Sequence, residues 1–213
     1  MVIQLGENPW ILIGLIFLEL LFIIVPALIS SRFEKKSFTD IIREMGFQKN
    51  KDLLLKFISG LGFGILIFFF SNYIIIFFGD IIIGSFFGVE FIKQAQEGII
   101  STTPILPNLI QLIVLIVQQI IIIGPCEEAF FRGYLIKKCR AKLKLTYSII
   151  ISSICFTIYH VPPFLVPLST IITFFGYYFI LGLMLSLIFV YFDYSIIPCS
   201  ITHSCFNVLF LII

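Results

Sequence analysis

Two histidines, His160 and His203, are the only ones in 213 residues, and both sit in strongly apolar stretches. A third apolar stretch holds the adjacent pair Glu127 and Glu128 followed by Arg132, and Asn207 lies four residues beyond His203. Ionisable groups in such surroundings are expensive, so they read as a functional site. Residues four apart share a helix face while neighbours diverge by about 100°. Glu128 can therefore pair with Arg132 while Glu127 points elsewhere, and a carboxylate without a cation in a low-dielectric site suits a general base. An ion pair that merely joins two helices accounts for Glu128 and Arg132 but leaves the second glutamate unexplained. One carboxylate and two imidazoles also form a donor set for a catalytic zinc with an open water position.

The same spacing recurs twice. Phe156 and His160 lie one turn apart just before Val161-Pro162-Pro163, and His203 and Asn207 share a face of the last apolar stretch. A lone buried histidine is ordinarily a hydrogen-bonded structural residue, but two His, an Asn and two Glu from three helices are harder to explain that way. Cys126, beside Glu127, invites a thiol-nucleophile reading, yet no histidine adjoins it in the chain.

The elements that carry these residues are membrane helices. The chain is 60% hydrophobic with 26 Phe, mean hydropathy +1.13 and only 12% charged residues, far from soluble usage. A bilayer crossing takes roughly 20 apolar residues as a helix. Suitable stretches run from Trp10 to Ile29, Leu53 to Phe78, Ile105 to Ile123 and on to Ile136, Tyr147 to Tyr159, Ile171 to Phe192, and Ile196 to Ile213. The fold class is thus all-α, a polytopic transmembrane bundle of about six spans, within a range of six to eight. Residues 81–89 read as a tail of the second span or a re-entrant piece. The first stretch lacks a basic leader and a small-residue cleavage site, so it is expected to be a retained helix. Glu19 within it is a further intramembrane acid, expected to face a polar neighbour or a cavity.

Basic residues crowd two connections: Arg32, Lys35, Lys36, Arg43, Lys49, Lys51 and Lys56 in the first, and Lys137, Lys138, Arg140, Lys142 and Lys144 in the third. Positive-inside bias predicts that both connections face the cytoplasm and both termini lie outside. The net charge of +2 is then an orientation signal, not a nucleic-acid footprint. The first connection reads either as a solvated linker or as an interfacial amphipathic helix with Ile41, Ile42, Met45 and Phe47 toward lipid. The five cysteines show no C-x-x-C pairing and suggest small-residue packing, not disulfides. Gly124 and Gly133 flank the glutamates and permit close helix approach. Counting about 1.5 Å per residue from the basic loops or turns puts Glu127 and His203 roughly 15 and 12 Å deep and His160 roughly 24 Å deep, a difference that helix tilt would absorb.

In this order on successive helices, Glu127-Glu128-x-x-x-Arg132, Phe156-x-x-x-His160 and His203-x-x-x-Asn207 resemble the motifs of the CPBP, or Abi, intramembrane proteases. That family includes type II CAAX prenyl endopeptidases and bacteriocin self-immunity proteins. The resemblance covers about Ile105 to Asn207, and the compact, isoleucine-rich chain fits a prokaryotic member. It divides the chain into N-terminal membrane helices with a basic cytoplasmic loop, 1–104, and a catalytic helix core, 105–213.

The resemblance implies an endopeptidase acting near the C-terminus of membrane-embedded or lipid-anchored peptides. Glu127 would activate water, His160 would help to bind it, and His203 and Asn207 would stabilise the oxyanion. Glu128, Arg132 and Phe156 would orient the site or bind substrate. The family has been described both as metal-dependent, which would make Glu127, His160 and His203 ligands of an ion such as zinc, and as metal-free. Two other classes compete. A non-proteolytic immunity or scaffold protein would tolerate loss of Glu127, and a transporter should show related halves with broken helices, of which the sequence has no sign.

Overall fold

The computed structural model describes residues 3–4, 7–47, 51–104 and 106–213. Lys49 of the first basic connection and Ile105, the expected start of the catalytic core, lie outside the described residues. Among the described residues the chain forms eight helices and one short parallel pairing of Ile3–Gln4 with Ile100–Ser101. The helices are α1 (Pro9–Glu34), α2 (Phe38–Glu44), α3 (Leu53–Phe87), α4 (Val89–Glu97), α5 (Leu109–Arg140), α6 (Leu145–His160), α7 (Leu168–Tyr191) and α8 (Ile196–Ile212). α1, α3, α5 and α7 are long and apolar enough to cross a bilayer, whereas α6 and α8 are shorter apolar helices. The large side chains Phe17, Leu54, Phe69 and Ile121 stand exposed on the outside. Such a surface suits lipid and not water, so this is a multi-pass membrane bundle.

Local chemistry sets the helix ends. Asn8 caps α1 by accepting from the Trp10 amide, and Lys35 in the left-handed conformation stops it. Asn108 and Gln111 form a reciprocal capping box that starts α5. α6 ends at His160 because Pro162 and Pro163 cannot continue it. Residues 81–89 resolve as the tail of α3, wound as a π-helix over Ile76–Ile83 and ended at Gly88, whose φ of +81° suits glycine.

Two of the helix packings matter for the site. Gly60 and Gly64, one turn apart on α3, face Ile201 and Cys205 of α8, and a Cβ at Gly64 would lie 2.6 Å from the Cys205 Cβ. This small-residue stripe lets the backbones approach, and Thr202 Oγ1 donates to the Gly60 carbonyl at 3.1 Å across it. On the other side α6 and α7 pack together around Phe131, Phe156, Leu181 and Leu185. All five cysteines are free.

The first connection contains a helix, and of the four apolar residues expected toward lipid Phe47 stands exposed, Ile42 is half-buried and the other two face the protein. Ile41 and Met45 of α2 are buried in the main core. A side chain at Gly133 would strike the Met45 carbonyl, so the missing Cβ there lets α2 seat on α5. Around this contact the two basic connections meet. Lys138 pairs with Glu34, Lys137 donates to the Glu44 carbonyl at 2.5 Å, and Lys36 bridges Glu34 and Glu44. The expected clustering of both basic segments at one end of the bundle is therefore present.

Candidate active site

The pair Glu127 and Glu128 lies in a short α-helical stretch, Gly124–Glu128, between two π-helical segments of α5, Gln119–Ile123 and Ala129–Ile136. π turns shift side chains around the helix and recur at functional sites. Hydroxyls from neighbouring helices take up carbonyls in these segments: Ser204 of α8 donates to Gln119 O and Ser152 of α6 to Phe131 O, at 2.8 and 2.7 Å. Gly124 makes room for α8, since a Cβ there would meet the Ser204 hydroxyl.

Glu128 and Arg132 form the expected pair, Nη1 to Oε1 at 2.9 Å, and both are fully buried. The guanidinium also donates to the Gly182 carbonyl of α7 at 3.1 Å and lies 4.4 Å from the centroid of the Phe156 ring. Glu128 Oε1 accepts a second bond, from His203 Nδ1 at 2.8 Å. A carboxylate there fixes the tautomer of His203, because the acceptor requires the proton on Nδ1. His160 is fixed by analogous logic: its Nδ1 donates to the Phe156 carbonyl at 2.9 Å. Each ring therefore turns its Nε2 to the same place.

That place is Glu127. Its Oε2 lies 3.9 Å from His160 Nε2 and 4.0 Å from His203 Nε2, and it is buried with no hydrogen-bond partner among the described residues. The three atoms lie within 4.8 Å of one another. An unpaired buried acceptor is costly, and one aimed between two imidazole nitrogens is a seat for water, a proton or a cation. Aromatic rings close the surroundings, with Phe156 and Tyr178 centred 4.2 and 4.8 Å from the His160 ring.

The roughly 24 Å depth counted for His160 is reconciled by helix length, because α5 runs on to Arg140. From that end Glu127 lies about 20 Å along the axis, close to the roughly 22 Å from Leu145 to His160. Asn207 stands apart from the three-atom centre in its bonding: its Nδ2 donates to Gln119 Oε1 at 2.8 Å. Cys126 is buried.

Sequence reasoning missed Gln119, Tyr159 and Tyr178. The signal for Gln119 was available, as Gln118-Gln119 is a polar pair inside an apolar run, whereas nothing marks Tyr178 among eight tyrosines. Glu19 was noticed without a partner; in the fold it is buried and accepts from the Tyr159 hydroxyl at 2.5 Å.

No curated protein and no solved structure matches the chain. A family model does: type II CAAX prenyl endopeptidase Rce1-like, over residues 109–209. The match spans α5 to α8 and includes Glu127, Glu128, Arg132, Phe156, His160, His203 and Asn207. Residues 109–209 are thus similar to the Rce1-like, type II CAAX prenyl endopeptidase family, whose members are intramembrane proteases.

Proposed function

We propose that this protein is an intramembrane endopeptidase that hydrolyses a peptide bond near the C-terminus of a membrane-embedded or lipid-anchored substrate, using water activated at Glu127. The observation that carries the reading is the unpartnered, buried Glu127 Oε2 facing the Nε2 atoms of His160 and His203 at 3.9 and 4.0 Å. A water can hydrogen-bond to all three, because their separations, within 4.8 Å, are under twice a hydrogen-bond length of about 2.8 Å.

Such a water has two hydrogens for three acceptors, so one of the three must itself carry a proton. We assign that role to His203, whose ring is held by the Glu128 carboxylate on Nδ1 with Nε2 turned to the centre. His203 can then donate to the oxyanion while Glu127 and His160 accept from water. Glu127 takes a proton as the water oxygen bonds to the carbonyl carbon, then returns it to the amide nitrogen as the C–N bond breaks. The products are a carboxylic acid and an amine. Asn207, one turn from His203 and held by Gln119, supplies a second donor to the oxyanion. Arg132 is wholly buried between Glu128, Gly182 and Phe156, which supports an orienting role over one of gripping a substrate carboxylate.

The donor chemistry of Glu127, His160 and His203 also fits a divalent metal such as zinc. Glu127, His160 and His203 would hold such an ion, their donor atoms lying within 4.8 Å of one another. A bound ion would supply Lewis-acid activation of water. In either case Glu128 and the Phe156 carbonyl would hold the two imidazoles through their Nδ1 atoms.

The core is proposed as 105–213 with 1–104 as its flanking helices, and the basic end shared by α1, α2 and α5 is assigned to the cytoplasm. Cleavage of a panel of quenched peptides and short membrane substrates by the purified protein in lipid tests the reading. Wild type should cut, and an equally folded Glu127→Gln variant should not. Equal cleavage by both would overturn the mechanism.

A further inference from the structure

Glu19 belongs to α1, outside the segment that matches the family model, and the mechanism above does not use it. It is 5% exposed, and its Oε2 has no hydrogen-bond partner among the described residues. A buried carboxylate held by a single neutral donor is poorly compensated. An apolar residue would serve α1 better as a packing element.

Its one bond is informative. Oε1 accepts from the Tyr159 hydroxyl at 2.5 Å, and Tyr159 immediately precedes His160, the last residue of α6. Adjacent helical residues diverge by about 100°, so Tyr159 reaches toward α1 while His160 turns to Glu127. The terminal turn of a helix lacks part of its hydrogen-bond ladder and frays first. Here that turn carries a ring whose Nε2 must face a particular oxygen. The tether is braced by Phe22, one turn beyond Glu19 on α1, whose ring meets Tyr159 edge-on at 5.0 Å. Tyr159 in turn lies at 89° to the His160 ring, 5.2 Å away. α1 also packs against the Gly124–Glu128 stretch of α5 that carries Glu127, so it lies beside the cluster.

We infer that Glu19 and Tyr159 are positioning residues through which α1 holds the end of α6, and with it the His160 imidazole, in register with Glu127. This rests on the proteolytic reading for its purpose, but its structural content can be tested separately. The chain has only two histidines, so labelling histidine with ¹³C and ¹⁵N in bicelles gives two ring signals, assigned by a His160→Gln variant.

In Tyr159→Phe, which removes one oxygen, and in Glu19→Leu, the His160 ring signal should shift or broaden while that of His203 stays. In Glu19→Gln, which keeps an acceptor for the phenol, the wild-type spectrum should return. Turnover should follow, with kcat down about 10- to 100-fold in the first two variants, KM within about twofold, and recovery in Glu19→Gln. A His160 signal unmoved in folded Tyr159→Phe, or a loss confined to KM, overturns the inference. If wild type cuts no substrate the proteolytic reading fails, and the spectra still decide the role of Glu19. Should Glu19→Leu not fold, Tyr159→Phe carries the test.

Discussion

Arg132→Met separates what the buried ion pair does for stability from what it does for the site. Arg132 and Glu128 are both fully buried, and the guanidinium bonds to Glu128 Oε1 at 2.9 Å and to Gly182 O at 3.1 Å. Met conserves much of the volume but leaves the Glu128 charge with His203 Nδ1 as its remaining partner. Breaking a buried pair from one side costs about 3–5 kcal/mol, or two to four orders of magnitude in the folding equilibrium at about 1.4 kcal/mol per decade. That is a large share of a total of about 5–15 kcal/mol.

The double variant Arg132→Met/Glu128→Leu removes both charges. Its deficit should shrink to the unsatisfied His203 Nδ1–H, about 1–3 kcal/mol, so it should be more stable than the single variant. Its cleavage should nonetheless stay about 10- to 100-fold below wild type, because His203 has lost the group that sets its tautomer. Unfolding by sodium dodecyl sulfate in mixed micelles, alongside peptide cleavage, measures both. A double variant less stable than the single one, or one with wild-type turnover, would refute the argument.

Gln119→Leu should lower kcat about tenfold without a matching loss of stability, since it frees the Asn207 amide from its partner; an unchanged kcat would sever Gln119 from the site. Gly64→Val should destabilise the bundle by about 1–3 kcal/mol by forcing α3 off Cys205 of α8, read as a lower unfolding midpoint. Cys126→Ala should retain cleavage within about threefold, whereas loss of activity in a folded Cys126→Ala protein would revive the thiol-nucleophile alternative. Exhaustive chelation should leave cleavage intact, because Asn207 one turn from His203 suits a pair of oxyanion donors; loss reversed by added zinc would instead assign an ion to Glu127, His160 and His203.

What could be read in the chain was whatever depends on short-range spacing and composition. The apolar runs are long enough to give the membrane class directly, and the pairing of Glu128 with Arg132 follows from four-residue spacing on one helix. The order of the three motifs carried the resemblance to the family. The bond from His203 to Glu128 was not legible, because it joins residues 75 apart in the chain, and helix-to-helix register depends on small-residue contacts such as Gly124 against Ser204. The burial of Ile41 and Met45 of α2 was not legible for a similar reason. An amphipathic face looks the same in sequence whether lipid or protein covers it, and the gap at Gly133 that admits Met45 lies in another helix. Glu19 announced itself as an acid in an apolar run, but its partner Tyr159 is 140 residues away. The sequence by itself determined which groups carry charge, which segments enter the membrane and which side chains share a helix face, since these are properties of one helix and its solvent. Only the tertiary structure decided that Nε2 of two distant imidazoles and one unpaired carboxylate oxygen converge, because convergence is set by how close and at what rotation separate helices pack.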